Sequence, residues 1–150
     1  MAQGEYISPE RLENLYIAHP GIATILVHGD STQTQLIAIV GVDPEPFAAW
    51  ASKVVRRPIA VSDIQTVYQD LAIIKQMMKD LDRIAERKKL QGFEKIKGIH
   101  LATEPFTVEN DLLTPTLKLK RADAAKAFRR EIDELYKRVN AKSGKVSAKL

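Results

Sequence analysis

Ile22-Ala-Thr-Ile-Leu-Val-His28 is the first of two short apolar runs in the sequence, and Leu36-Ile-Ala-Ile-Val-Gly-Val42 is the second. Both runs are rich in β-branched residues, and the turn residues Gly29-Asp30-Ser31 follow the first one. This pattern predicts two strands of one sheet. Because neither run alternates between apolar and polar residues, we expect helices to cover the sheet well.

Helices and one further strand are predicted around these runs. Ser8-Pro9-Glu10 begins a helix, with a hydroxyl cap, a Pro at the first helical position and an acid near the positive end of the helix dipole. The other predicted helices cover residues 47–55, 62–68, about 70–90 and 125–139, and a third strand covers residues 96–101. The apolar face of the long helix is predicted from five residues at helical spacing, Leu71, Ile74, Met78, Leu81 and Ala85. The expected fold is α+β, a small, mainly three-stranded sheet packed by helices.

Composition limits the classes of function. The 150 residues fit one domain, with 45% hydrophobic and 28% charged residues. The absence of Cys excludes disulfides, thiol nucleophiles and thiolate metal sites. The three His residues are too scattered to predict a metal site. The sequence shows neither a signal peptide nor an apolar run approaching the roughly 20 residues that span a bilayer, which predicts a soluble intracellular protein.

Positive charge is concentrated towards the C-terminus. Residues 117–150 contain 11 Lys or Arg and 4 Asp or Glu, whereas the whole chain has a net charge of only +4. Such a segment could bind nucleic acid or an anionic membrane. Nucleic-acid binding is not predicted, because no Gly-aromatic interleaving, zinc spacing or recognition-helix pattern accompanies the charge. A non-enzymatic binding module with a basic flank stays open as an alternative.

Residues 109–121 stand out because they lack an amphipathic period. They read Glu-Asn-Asp-Leu-Leu-Thr-Pro-Thr-Leu-Lys-Leu-Lys-Arg. Asn-Asp and Pro are turn residues, and the cations Lys118, Lys120 and Arg121 follow them closely. A loop of this kind suits a phosphate or carboxylate, although a solvated basic turn before a helix has the same composition.

Three motifs resemble the adenylate-forming superfamily, and in particular its long-chain acyl-CoA synthetase branch. They are Gly4-Glu-Tyr-Ile-Ser-Pro-Glu-Arg-Leu-Glu-Asn14, Gly92-Phe-Glu-Lys-Ile-Lys-Gly-Ile-His100, and Glu104-Pro-Phe-Thr-Val-Glu-Asn110 leading into the Leu-Leu-Thr-Pro-Thr run. The resemblance extends to about residue 139. It implies that residues 1–139 form the mobile C-terminal lid domain of such an enzyme. Residues 140–150 are polar, rich in Ser, Lys, Gly and Ala, and without an apolar period, which predicts a flexible basic tail.

The resemblance implies a two-step ligase. A long-chain fatty acid attacks the α-phosphorus of ATP, and the thiol of coenzyme A then displaces AMP from the acyl-adenylate. In the family a large N-terminal domain, the implied partner of this one, holds ATP, Mg²⁺ and the fatty acid. We therefore expect no turnover from the 150 residues alone. A ligase acting on another carboxylic acid is a further alternative, since the acid pocket lies outside these residues.

The family also assigns roles within the loop. The implied catalytic residue is Lys118, which precedes Arg121 by three positions as in the family motif, and Lys120 is its competitor. Thr114, Thr116 and Arg121 are expected to support the phosphates or the loop. Thr116 and Leu117 stand where many members have Ser-Gly.

Two other parts of the resemblance concern the thioester step and the loop's start. Gly4 and Glu5 match the loop that helps to form the pantetheine tunnel, where a residue without Cβ allows a close backbone approach. Asp111 departs from the Gly usual in this branch, and we expect Asp to retain the loop. Glu13 is expected to cap or pair locally.

Ala148-Lys149-Leu150 differs by one small residue from the Ser-Lys-Leu peroxisomal address. This predicts recognition by the peroxisomal import receptor. A cytoplasmic location, or a peripheral one on membranes, is the alternative.

Overall fold

The computed structural model describes residues 7–30, 33 and 35–148. The strands are β1 (Ile22–His28), β2 (Leu36–Val42) and β3 (Ile96–Leu101). The α-helices are α1 (Pro9–Tyr16), α2 (Pro44–Val55), α3 (Leu71–Arg87), α4 (Arg121–Ala127) and α5 (Arg129–Ala148), and two 3-10 segments cover Val61–Val67 and Gly92–Glu94. In this part of the chain no helix is long and apolar enough to cross a membrane.

The three strands form one mixed sheet in the order β1-β2-β3. β1 runs antiparallel to β2, with Val27 opposite Ala38, and β3 runs parallel to β2, with His100 opposite Ile39. The parallel connection passes through α2 and α3, as expected for a crossover between parallel strands. The predicted α+β fold is confirmed, and the two runs that predicted β1 and β2 match the observed strands.

Both faces of the sheet are covered, because neighbouring residues of β2 enter opposite cores. The first core contains Ala38 and Val40 packed against α1, α2 and α3. The second core contains Ile37 and Ile39 packed against α4, α5 and the segment from Ala102 to Leu113. This double cover explains why every residue of β2 except the last is buried.

The predicted buried face of α3 is partly wrong. The helix buries Ile73, Met77, Leu81 and Ala85, whereas the side chain of Leu71 is 73% exposed. Asp70 caps the helix by accepting a hydrogen bond from the Ala72 amide at 2.8 Å, so Leu71 is its first residue. Two apolar series at helical spacing share α3, and packing against the sheet selects the one that starts at Ile73.

The C-terminal helix differs in extent from the sequence prediction. A break at Phe128 divides it into α4 and α5, and α5 continues to Ala148. The backbone is therefore helical over residues 140–148, where a flexible tail is predicted. Ala and Lys, which are frequent there, favour helix. The division of the chain at residue 139 stays a prediction.

Candidate functional site

Residues 113–119 form a tight hairpin that we call the Lys118 loop. Leu113 and Leu119 pair as an antiparallel bridge at its base. The Thr114 amide donates to the Lys118 carbonyl, and the Leu117 amide donates to the Thr114 carbonyl, both at 2.7 Å. Leu117 has φ 65°, a left-handed conformation. A turn followed by a left-handed residue is a common way to close a short hairpin.

The two predicted Thr residues stabilise this hairpin from within. The Thr114 hydroxyl accepts a hydrogen bond from the Lys118 amide at 3.1 Å. The Thr114 and Thr116 hydroxyls also lie 3.1 Å apart. These contacts fix the shape of the loop, whereas contact of either hydroxyl with a phosphate stays a prediction.

Asn110 connects the Lys118 loop to the body of the domain. Its side-chain oxygen accepts hydrogen bonds from the amides of Thr107 at 3.1 Å and Leu112 at 3.2 Å. Its side-chain nitrogen donates to the Pro105 carbonyl at 2.8 Å. Leu112 and Leu113, which follow, are buried in the second core. The loop therefore projects from a fixed base.

The two candidate lysines have different surroundings. Lys120 lies with its Nζ 3.5 Å from Asp111 Oδ1 and 3.7 Å from Asp123 Oδ2. The Lys118 side chain is exposed, and no described residue forms an ion pair with it. Lys118 is thus the cation of this pair available to an incoming anion. This difference favours Lys118 over Lys120 as the catalytic residue.

Arg121 is committed to a carboxylate from the other end of the chain. Its Nη1 and Nη2 donate to the two carboxylate oxygens of Glu13 at 2.7 and 2.6 Å. These hydrogen bonds raise the pKa of Arg121, and burial opposes them. The expectation that Glu13 pairs locally is therefore wrong: a fork-shaped guanidinium meets the carboxylate across the fold.

Asp111 occupies the position at which Gly is usual in the family branch. It has φ 65°, so the backbone adopts the left-handed conformation that Gly permits. Asp is one of the few other residues that tolerate this conformation. Asp111 thus accommodates the left-handed backbone, and its carboxylate lies 3.5 Å from Lys120 Nζ.

Other predicted residues lie outside the described part of the chain. Gly4 and Glu5, assigned to the thioester step, precede residue 7. Lys149 and Leu150, which end the predicted peroxisomal address, follow residue 148.

A largely buried polar network joins the segment after α1 to α2 and α3, and no pattern in the sequence indicates it. His19 Nε2 lies 2.8 Å from Asp80 Oδ2, and the Gly21 amide donates to His19 Nδ1 at 3.0 Å. Trp50 also donates to Asp80, at 2.9 Å. Burial lowers the pKa of His19, so the ring is neutral and donates from Nε2. With both ring nitrogens occupied, His19 has a structural role.

An open groove of about 550 Å³ lies beside β3, away from the Lys118 loop. His100 and the α5 side chains Arg130, Glu131 and Glu134 line part of it. Burial lowers the pKa of His100. None of the predicted site residues that the structure describes lines this groove, so the candidate site remains the Lys118 loop.

Comparison with known proteins finds no matching family model. A peroxisomal acyl-CoA ligase of Penicillium roqueforti is 47% identical over 154 residues, covering 100% of this chain and 22% of that protein. A long-chain-fatty-acid–CoA ligase of Homo sapiens is 41% identical over 140 residues, covering 91% of this chain and 19% of that protein. The chain thus spans about a fifth of the length of the curated relatives it matches.

Solved structures share the fold. The adenylation domain of a carboxylate reductase from Mycobacterium chelonae matches with a TM-score of 0.72 and 27% identity, over 91% of this chain and 19% of that one. An adenylation and carrier didomain of a carboxylic acid reductase from Segniliparus rugosus, in complex with AMP, also matches with a TM-score of 0.72 and 27% identity. That match covers 92% of this chain and 17% of the other.

Proposed function

The chain belongs to the acyl-CoA ligases of the adenylate-forming superfamily, as their C-terminal domain, and on this basis we propose that it is the catalytic lid of an ATP-dependent long-chain fatty-acid–CoA ligase. The observation that carries the proposal is Lys118, an exposed cation without an ion-pair partner among the described residues. It is the last but one residue of the hairpin. Asn110 and buried Leu side chains hold the base of this hairpin in place. The choice of a long-chain acid rests on the names of the relatives.

In the first half-reaction the fatty-acid carboxylate attacks the α-phosphorus of ATP, and pyrophosphate leaves. Two anions must approach each other, and negative charge moves onto the leaving group. A positioned ammonium group stabilises that charge more in the transition state than in the ground state. We assign this task to Lys118, with Thr114 and Thr116 holding the loop in shape.

In the second half-reaction the thiol of coenzyme A attacks the acyl carbonyl and AMP leaves. We assign Gly4 and Glu5 to the path of the pantetheine chain, on the resemblance of their motif alone. This assignment predicts that a side chain added at Gly4 slows thioester formation from supplied acyl-adenylate while sparing adenylation.

The proposed partner is an N-terminal domain that holds ATP, Mg²⁺ and the fatty acid. Among residues 7–30, 33 and 35–148 no group of three or more His, Asp or Glu side chains could hold a metal ion. These residues thus offer no ligand cluster for Mg²⁺, and we derive no step through the metal on this chain. Because the family's ATP and fatty-acid site is expected in the N-terminal domain, the 150 residues alone should form no acyl-adenylate, which assay of the purified chain with ATP and fatty acid would check.

We also propose a peroxisomal location. The relatives from Penicillium roqueforti and Arabidopsis thaliana are named as peroxisomal. The second proposed partner is the peroxisomal import receptor, which would bind the targeting signal at residues 148–150. Fluorescence microscopy of the protein with a fluorescent tag ahead of residue 1 tests this. The fluorescence should coincide with that of a peroxisomal marker, and removal of residues 148–150 should disperse it.

The decisive experiment separates the two half-reactions. These 150 residues replace the matching part of the Penicillium roqueforti ligase, and adenylation is followed by pyrophosphate release. Thioester formation is followed separately by consumption of coenzyme A with supplied acyl-adenylate. Lys118→Ala should lower adenylation by about 10²-fold or more, because an electrostatic contact to the transition state is lost, and largely spare the second step.

Lys120→Ala is the matched control, since this residue directly follows the Lys118 loop and has the same charge. We expect it to lower adenylation by less than Lys118→Ala does. A larger loss from Lys120→Ala would reassign the catalytic residue. An inactive wild-type chimera, together with salt-sensitive retention of the chain on anionic vesicles, would instead support the binding-module alternative.

A further inference from the structure

Glu13 and Arg121 form a bidentate, partly buried ion pair. Glu13 is 7% exposed and the Arg121 side chain 39%, and the two Glu13 carboxylate oxygens accept from the two terminal nitrogens of Arg121. The partners are 108 residues apart in sequence. A bidentate pair of this kind fixes the relative orientation of two segments, because the planar guanidinium allows little freedom.

The pair also forms hydrogen bonds with main-chain groups on the edge of β1 that faces away from β2. The Val27 amide donates to Glu13 Oε2 at 2.8 Å, and Arg121 Nη1 donates to the Val27 carbonyl at 3.3 Å. Both main-chain groups of this residue of the edge strand are thus satisfied by side chains. As a result the ion pair is attached to the sheet as well as to α1.

Arg121 is the first residue of α4, and only Lys120 separates it from the Lys118 loop. Between the two, the Lys120 amide donates to the Leu112 carbonyl at 2.8 Å, and the Lys118 carbonyl accepts from the Thr114 amide. Few freely rotating bonds therefore separate the fixed guanidinium from the Lys118 backbone. The side of the loop that leads into α4 is held by Glu13, and the opposite side is held by Asn110.

We propose that Glu13 and Arg121 are a positioning pair, which sets the direction of the Lys118 loop relative to the sheet and thereby serves adenylation. The inference rests on the proposed role of Lys118. Of the two roles expected of Arg121, support of the phosphates or of the loop, it favours the loop, because Nη1 and Nη2 are both directed at Glu13. Removing the fork lets the loop shift, and a displacement of about 1 Å from the productive geometry can cost about 10²-fold in rate.

Arg121→Lys and Glu13→Gln, in the ligase chimera described above, test the proposal. The first keeps the charge and removes the fork, and the second keeps the shape and removes the charge. Both should lower the kcat of adenylation by roughly 10-fold to 10²-fold, with the KM for ATP changed by less than about 2-fold. Thioester formation from supplied acyl-adenylate should be nearly unchanged. The double variant should lose little more than either single variant, because the two side chains act as a unit.

Arg129→Lys is the matched control. Arg129 likewise donates to carboxylates, those of Asp30 and Asp133, but it lies on α5 away from the Lys118 loop. Both half-reactions should proceed normally in this variant. Equal losses in both half-reactions of Arg121→Lys would show that the pair only stabilises the fold, and a raised KM for ATP at unchanged kcat would show direct phosphate contact. Either result overturns the positioning role.

A second measurement does not depend on turnover. In the 150-residue chain, Arg121→Lys should accelerate amide hydrogen exchange at Thr114, Leu117 and Lys120, three amides that are hydrogen-bonded within the loop or directly after it. Exchange at Met77 and Leu81 in α3 should keep its wild-type rate. Unchanged exchange in the loop would overturn the inference even if activity fell. Lys118→Ala could leave adenylation intact while Arg121→Lys still accelerates amide exchange in the loop. In that case the proposed function fails, but the ion pair still holds the loop in place.

Discussion

Leu117 has a backbone conformation that its side chain does not favour. Its φ is 65°, and its side chain is 69% exposed. For a residue with a Cβ, the left-handed region costs about 1–2 kcal/mol. Leu117→Gly should therefore raise the free energy of unfolding by roughly 0.5–1 kcal/mol, after the greater entropy of Gly in the unfolded chain is subtracted. Urea denaturation followed by circular dichroism measures this change.

Leu117→Ala separates backbone strain from exposure of an apolar side chain. Ala retains the Cβ and hence the strain, so we expect no gain in the free energy of unfolding from this variant. A gain as large as that of the Gly variant would mean that the exposed side chain is the cause. Many family members have Gly at this position, which agrees with the strained backbone.

At the residue scale, the sequence indicated a catalytic candidate, whose role stays a prediction, but not the surroundings of that residue. The position of Lys118 three residues before Arg121 indicated Lys118, and Lys120 stayed a competitor. The structure distinguishes the basic residues by their carboxylate partners. Lys120 lies near Asp111 and Asp123, and Arg121 pairs with Glu13. Glu13 belongs to a distant helix, so no local pattern could have indicated its partner.

Gly41 allows the segment that covers the second core to lie close against β2. A Cβ added at Gly41 would lie 2.6 Å from Phe106 Cδ1. The Phe106 ring is itself held against Phe128, with ring centroids 5.3 Å apart. Gly41→Ala should therefore lower the free energy of unfolding by about 1–3 kcal/mol, the usual cost of overpacking a core. Urea denaturation is again the measurement.

Gly92→Ala is the control for this substitution. A Cβ at Gly92 would meet nothing within 4 Å, so the same chemical change should be close to neutral. Adding Phe106→Leu to Gly41→Ala should recover part of the lost stability by making room. If the two Gly variants are equally destabilised, steric contact with Phe106 is not the reason.

At the element scale, the accuracy of prediction followed the strength of the local signals. β1 and β2 are bounded by turn residues and rich in β-branched side chains, so their limits were predicted correctly. α3 was predicted as a helix, but its buried face was predicted only in part, because Leu71 and Ile73 begin competing apolar series. Only tertiary packing separates such series.

At the scale of the whole molecule, the continuous hydrophobicity of β1 and β2 predicted that helices cover the sheet. It did not predict which helices lie on which face. That arrangement depends on the parallel pairing of β2 with β3, which carries α2 and α3 across one face and leaves α4 and α5 for the other. Pairing between distant strands leaves no local trace in sequence.

The two cores should unfold as one unit, because consecutive residues of β2 contribute to both of them. Ala38 and Val40 belong to the first core, and Ile37 and Ile39 belong to the second. Losing either core would expose one face of the central strand, so a state with only one core intact should be unstable. Trp50, the single Trp of the chain, packs against the first core and reports its unfolding.

A second fluorescent probe makes this a test of the domain's independence. In a Trp50→Phe background, Phe128→Trp places the reporter in the second core. Within each protein, the urea midpoint from Trp fluorescence should equal the midpoint from far-ultraviolet circular dichroism, even though the substitutions shift both. Separate midpoints in the second protein would mean that α4, α5 and the base of the Lys118 loop unfold before the sheet. The loop would then depend on contact with the N-terminal domain for its shape, in contrast to the fixed base that Asn110, Leu112 and Leu113 provide.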